Sequence, residues 1–355
     1  MNRSAEGSKL KTADDFELLT ALERSLGNFF GVHRQIVKLE RQASDYRSSF
    51  GLEELTVRLA DGTKLSIMFK DMDRDILLES GKRAKPEFIY NPKREIEVYN
   101  KILPMKQFGT ATCYGNVIEP QIKRYWLFLE KVPGLELYQV GNFELWKAVA
   151  RWLADFHSSF ASEVNSLSAQ NELLKYDEIF YREWIRRAQV FFTRTETFAT
   201  DDDKAKVSWL AGKFDRVVEE LSQTPRTLIH GEFYASNVLV QFTKGGELSR
   251  GTDLRICPID WEMTGVGPSL IDLAALTSGD WNEDEKAALA TSYYEALPDK
   301  SRWFSSHKSF EISLNFCRLY SAIQWLGWFG RRKPFANHAQ DWLSEAIEMT
   351  ERLNL

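Results

Sequence analysis

The sequence predicts an α+β protein of two lobes: an amino-terminal antiparallel sheet with a helix, and a larger, mainly helical carboxy-terminal lobe. Three observations predict it. Period-two apolar alternation begins near Ile36 and leads into the hairpin signal Asp61-Gly62. A short apolar strand then ends at the breaker Val132-Pro133-Gly134. Beyond that break the apolar period becomes helical, interrupted by one strand and loop block over 226–264. With 355 residues, 43% hydrophobic and 27% charged, the chain has the composition of a globular protein and the length for two lobes. The expected divisions are a disordered stretch 1–13, rich in Ser, Lys and Gly, then a sheet lobe 14–129, a hinge 130–134 and a helical lobe 135–355.

In chain order, Asp14 is suited to cap a helix running to about Phe30, with Phe16, Leu19, Leu22 and Leu26 on one stripe. Residues 55–60 and 64–70 flank Asp61-Gly62 as a two-residue hairpin, which sets Val57 and Leu59 against Leu65, Ile67 and Phe69. Side chains alternate across a strand, so burying Ile67 and Phe69 turns Lys70 to the opposite face. Asn91-Pro92 provides a cap and a first-turn proline for a helix to about Leu103, in which Glu95, Tyr99 and Ile102 share a face. Residues 125–129 form a strand ending at Glu130. Past the break, Asn142 caps a helix through Phe160, and helical patterns cover about 174–193, 204–222, 284–296 and 308–329.

Composition excludes several functions. The net charge is −5, and no basic cluster exceeds Arg331-Arg332-Lys333, so nucleic acid is not an expected partner. Residues 1–129 carry 21 basic and 18 acidic side chains and 130–355 carry 25 and 33, which places the acidity in the second part. Cys113, Cys257 and Cys317 are far apart and form no C-x-x-C pair, which argues for a reducing, cytoplasmic setting. The polar amino terminus and the lack of an 18-residue apolar run predict neither an export signal nor a membrane span.

The chemistry concentrates in Leu228-Ile229-His230-Gly231-Glu232-Phe233-Tyr234-Ala235-Ser236-Asn237-Val238, a polar loop between two apolar runs. A carboxylate five residues before an amide can set an oxygen beside an attacking hydroxyl while the amide oxygen reaches a divalent metal. Downstream, Ile259-Asp260-Trp261-Glu262 ends another short strand in carboxylates, the oxygen ligands that a hard cation selects.

These segments resemble the phosphotransferase-enzyme family of aminoglycoside phosphotransferases and choline kinases, built on the bilobal protein-kinase-like fold. The family signature H-G-D-x-x-x-x-N followed by I-D-W-E is matched by His230-Gly231-Glu232 through Asn237, and by Ile259 through Glu262. The resemblance spans about 36–329. It implies a small-molecule kinase that uses ATP or GTP and Mg2+. Lys70 would contact the α- and β-phosphates, Glu95 would pair with Lys70, and the backbone from Glu130 to Val132 would meet the base. Asn237 and Asp260 would hold magnesium, with Glu262 the candidate for a second metal. Asp272 and His157 would be structural.

Three departures mark this chain. Glu232 stands where the family generally has aspartate, and a carboxylate displaced by roughly 1 Å can lose about 10²-fold in rate. No G-x-G-x-x-G is present; Tyr46-Arg47-Ser48-Ser49-Phe50-Gly51 lies where the phosphate cover belongs, so Ser48 and Ser49 become candidate phosphate contacts. A long polar stretch, Lys244 to Arg255, separates Asn237 from Asp260 and reads as an extended hairpin loop.

Each residue also has a plain structural reading. Lys70 alone is an edge lysine, and Glu97 competes with Glu95 as its partner. His230 reads as a core histidine that braces the loop. The aromatic run from Leu319 to Phe329 reads first as helix core, and Asp280, Glu283, Asp284 and Glu285 as a solvated helix start. The order of lysine strand, glutamate helix, hinge, Glu/Asn loop and Asp turn favours transfer of a γ-phosphoryl group to the hydroxyl of a small molecule, of aminoglycoside, amino alcohol or sugar type. In that reading Glu232 orients or deprotonates the hydroxyl. The alternative is a catalytically degenerate kinase fold that binds nucleotide for a regulatory or scaffolding role.

Overall fold

The alternating segments pair into one five-stranded antiparallel sheet of order β1-β2-β3-β5-β4, with β1 Ile36–Ala43, β2 Gly51–Leu59, β3 Lys64–Asp71, β4 Cys113–Glu119 and β5 Arg124–Glu130. The computed structural model describes residues 13–44, 50–76, 86–170, 172–194, 199–242, 254–329 and 341–355. The chain divides into two compact units, Met1–Pro133 and Gly134–Leu355. Residues 1–12, most of the stretch expected to be disordered, lie outside the described residues, as do Ser48 and Ser49, 243–253 and the Arg331-Arg332-Lys333 cluster.

Helix α1, Asp15–Phe30, begins where the Asp14 carboxylate accepts the Phe16 and Glu17 N–H groups, and ends at left-handed Gly31. It buries Leu22 and Leu26 as expected, with Leu18 and Ser25 beside them, and leaves Leu19 half-buried, but Phe16, expected on the same stripe, is 76% exposed. Leu18, Leu22 and Leu26 are fully buried against Val57, Ile67, Phe69 and Phe128, each contributing roughly 1.5–3 kcal/mol. The β2–β3 turn also differs. Gly62 N–H reaches Leu59 O, and Leu59 N–H reaches Thr63 O, so the loop holds Ala60, Asp61 and Gly62, with Gly62 at φ 89°. This is a type I turn closed by a left-handed glycine, one residue longer than the two-residue turn expected. The register therefore sets Val57 opposite Leu65 and Leu55 opposite Ile67, and leaves Leu59 at the turn.

The predicted 91–103 helix is three structures in series. Asn91 accepts the Lys93 N–H and Pro92 opens α2, Pro92–Glu97. Val98–Ile102 widens to a π turn in which Leu103 N–H reaches Val98 O, and Leu103–Met105 tightens to a 3₁₀ turn. Pro104 has no N–H to continue the ladder. Glu95, Tyr99 and Ile102 are nonetheless all buried.

The second unit is helical: α3 Phe143–Phe160, α4 Val164–Gln170, α5 Glu178–Thr193, α6 Asp201–Gln223, α7 Leu270–Leu276, α8 Glu283–Ala296, α9 His307–Phe329 and α10 Trp342–Arg352. Two three-stranded sheets interrupt it. One has order β10-β9-β6 (Leu254–Pro258, Val238–Phe242, Leu135–Glu136), the other β7-β11-β8 (Leu174–Lys175, Gly265–Pro268, Arg226–Ile229). The expected helix at 174 is thus a short strand, and α5 starts only after Asp177, whose carboxylate caps it. The strand block extends to Pro268 rather than ending at 264. The acidic run ending at Glu285 is a helix start, where Glu285 completes a capping box with Asn282, and Asp203 does the same with Thr200 at the start of α6. Leu319, Tyr320, Ile323 and Leu326 of α9 are core. No helix among the described residues is long and apolar enough to cross a membrane.

Candidate functional site

In the first unit, β3 is the central strand of five, so Lys70 is not an edge lysine. Alternation buries Ile67 and Phe69 against α1 and turns Lys70 to the other face, where Nζ lies 2.6 Å from Glu95 Oε2. The Lys70 and Glu95 side chains are 12% and 2% exposed. Glu97, the competing partner, pairs with Lys101 one helical turn on (2.9 Å). Sequence reasoning missed Phe50, whose ring centroid lies 5.5 Å from Lys70 Nζ. At the end of β5, Glu130 Oε2 accepts hydrogen bonds from Thr112 N and Oγ1, both at 3.0 Å. The backbone N–H groups of Glu130 and Lys131 donate to Thr112 O and Ser66 O, and Val132 is buried.

In the second unit the loop after β8 is built around a buried acid. Asp272, on α7, accepts the His230 N–H at Oδ2 (2.7 Å) and the Gly231 N–H at Oδ1 (2.8 Å), and its Oδ2 lies 3.1 Å from His157 Nε2. His157 Nδ1 in turn lies 2.9 Å from Tyr293 Oη. Asp272, His157 and His230 are all completely buried. His230 braces the loop on its other side: Nε2 sits 2.9 Å from Ile259 O, while Glu232 N–H donates to Nδ1 (3.3 Å). One acceptor and one donor nitrogen describe a neutral imidazole, and burial holds its pKa below the usual histidine value.

The loop then turns on itself. Tyr234 N–H and Asn237 Nδ2 both donate to Glu232 O, at 2.7 and 3.0 Å. With Nδ2 so used, the remaining polar atom of the Asn237 amide is the acceptor Oδ1. Val238 pairs with Pro258, and Ile259 N–H donates to Asn237 O (2.9 Å), which sets Asn237 beside the residue preceding Asp260. Asp260 adopts a left-handed conformation, φ 63° and ψ 62°, sparsely populated by residues other than glycine, asparagine and aspartate, and the following 3₁₀ turn Trp261–Met263 carries Glu262. Trp261 is fully buried and its Nε1 donates to Pro258 O (3.0 Å), which anchors the turn. Glu232, Asn237, Asp260 and Glu262 are half-buried.

The donor set fits magnesium, which takes oxygen ligands and is usually held by one or two carboxylates together with substrate phosphates. Among the described residues, no three His, Cys, Asp or Glu side chains form a preformed metal cage.

A sequence model of the phosphotransferase enzyme family matches residues 111–303, more than half of the chain. The chain belongs to this family. Its fold is similar to solved structures of kinases. A choline kinase from Cryptosporidium parvum shares 13% identity and a TM-score of 0.59, with 96% of each chain covered. The microcompartment-associated aminopropanol kinase shares 15% identity and a TM-score of 0.56, covering 88% of this chain and 90% of that one. A spectinomycin phosphotransferase, solved with ADP and spectinomycin, shares 14% identity and a TM-score of 0.50, with 95% of each chain covered. No curated protein matches the sequence. At such identities the likeness establishes the kinase-like α+β fold, and the phosphotransferase family itself rests on the match over 111–303.

Proposed function

We propose that this phosphotransferase moves the γ-phosphoryl group of ATP or GTP to a hydroxyl of a small molecule of amino alcohol, aminoglycoside or sugar type. The observation that carries the reading is the convergence of the Glu232 loop, Asn237 and the Asp260 turn at one end of the β9–β10 pair. Phosphoryl transfer asks the protein mainly for positioning and charge stabilisation, and this region supplies an acceptor for a hydroxyl proton and oxygen ligands side by side. Glu232 orients the attacking hydroxyl and takes its proton. Asn237 and Asp260 would hold Mg2+, with Glu262 as a further ligand, and the cation would neutralise charge on the phosphate oxygens. Lys70, fixed by Glu95, steadies the nucleotide phosphates, and the backbone around Glu130 and Val132 receives the base. Choline, aminopropanol and spectinomycin, named for the similar structures, are small hydroxyl-bearing molecules. Three free thiols, two of them buried, support a cytoplasmic setting.

A second reading rests on Glu232 in place of aspartate: a degenerate kinase that binds nucleotide without transfer. Turnover of ATP and GTP with Mg2+ over a panel of amino alcohols, aminoglycosides and sugars separates the two. Acceptor-dependent turnover is expected, falling at least about a hundredfold in Asp260→Asn, which tolerates the left-handed backbone but removes the charge. Glu232→Asp should keep or raise it. Nucleotide binding without turnover on any acceptor would favour the degenerate reading.

A further inference from the structure

Tyr176 follows β7 and precedes α5, outside every motif, yet it meets both halves of the proposed catalytic region. It is fully buried, and its Oη donates to Met263 O (2.8 Å), in the turn that begins after Asp260 and contains Glu262. On the other side it meets Gly231, one residue before Glu232. Gly231 has φ 86°, and a Cβ placed there would run into Tyr176 Oη and Met263 O together. The ring is gripped by two further glycines: a Cβ on Gly265 would lie 2.7 Å from Tyr176 Cε2, and one on Gly267 2.6 Å from Tyr176 Cβ. The backbone is equally tied, with Tyr176 N–H donating to Val266 O (3.1 Å) and Tyr181 Oη donating to Tyr176 O (2.6 Å). A rigid phenol so held has one oxygen, placed between Gly231 of the loop carrying Glu232 and Met263 of the turn carrying Glu262.

We propose that Tyr176 is a positioning residue that sets the spacing between the Glu232 loop and the metal-holding turn. It touches no substrate. Its hydroxyl holds Met263 O in place, while Gly231 packs on the same oxygen, so neither segment moves without the other. This rests on the metal roles proposed above for Asp260 and Glu262.

The test reads metal binding separately from transfer. ADP is titrated into the full chain in Mn2+ and in EDTA by calorimetry, with bound Mn2+ counted by electron paramagnetic resonance. Tyr176→Phe keeps the ring and removes the hydrogen bond. It is expected to raise the Mn2+ concentration for half-saturation about tenfold, the effect typical of losing a group that orients a ligand, while ADP affinity in EDTA stays within about twofold. Should Tyr176→Phe fold poorly, Gly231→Ala approaches the same contact from the other side and should shift the Mn2+ dependence likewise. A folded Tyr176→Phe with wild-type Mn2+ dependence overturns the proposal. If the wild type binds Mn2+ and ADP but phosphorylates no acceptor, the transfer reading fails while the tyrosine is still judged by the Mn2+ titration. Absence of nucleotide binding overturns both.

Discussion

The two units hold their candidate charged residues in opposite ways. In the first, Lys70 and Glu95 neutralise one another as a buried pair, set by strand alternation and by one face of α2. In the second, Glu232, Asp260 and Glu262 are half-exposed carboxylates, and what is buried is the scaffold beneath them: Asp272, His157, His230 and Tyr176. A self-neutralised pair needs only two elements in register. The half-exposed carboxylates keep some contact with water, and the backbone that carries them is set by hydrogen bonds to buried groups and by a left-handed residue.

The largest effect should come from removing that scaffold. Asp272 accepts from His230 N and Gly231 N and faces His157 Nε2, all buried, so Asp272→Ala leaves three polar groups without their acceptor. At about 1–3 kcal/mol for each orphaned group, the loss is on the order of 5 kcal/mol, a large part of a domain's usual stability. A urea midpoint close to wild type would break the contrast, because the loop would then be held by something other than its buried acid.

A smaller effect sharpens the other side. Lys70→Met removes the cation beside the buried Glu95 carboxylate and should cost about 3–5 kcal/mol, while Lys70→Met with Glu95→Leu should recover most of it, since apolar groups of similar volume replace buried pairs at little cost. Nucleotide affinity should fall in both variants. Recovery of stability without recovery of binding identifies a pair retained for function. If the double variant is no more stable than the single one, the pair is part of the packing of the first unit.

Legibility in the sequence follows the same division. The Lys70 face, the Asn91 cap and the Asp14 cap depend on neighbours within a few residues, and local pattern reveals them. The H-G-E-x-x-x-x-N and I-D-W-E segments are contiguous, so the candidate loop was readable too, as was the bracing role of His230. One miss was local: the 60–62 turn gained a residue because Gly62 could adopt the left-handed conformation. The others were set by distant chain. The 174–175 segment became a strand by pairing with Gly265 and Val266, some ninety residues later. Tyr176 carries no signal in its own neighbourhood, because its partners are Gly231, Met263, Gly265 and Gly267. Tyr293 on His157 is legible only in three dimensions for the same reason.

The smallest effect tests whether the first unit tolerates a buried acid. Asp71 adjoins Lys70 on the opposite face of β3 and is 7% exposed, with Oδ2 accepting from Trp126 Nε1 (2.9 Å) and Oδ1 from Asp73 N–H (3.2 Å). Burial outweighs these donors and raises its pKa from 3.8 to about 6. Between those values the folded chain binds more protons at Asp71 than the unfolded chain, so this residue's contribution to stability falls as pH rises from about 4 to about 6 and is level above. At about 1.4 kcal/mol per unit, the change reaches at most about 3 kcal/mol. Asp71→Asn cannot ionise and should flatten that part of the profile, at the cost of one of the two donated hydrogen bonds. Urea midpoints at pH 4, 5, 6 and 7 for both proteins measure the difference. Parallel profiles would mean that the Trp126 and Asp73 donors hold the carboxylate as firmly as backbone N–H groups hold Asp272, and the contrast between the two units would then be confined to Lys70 and Glu95.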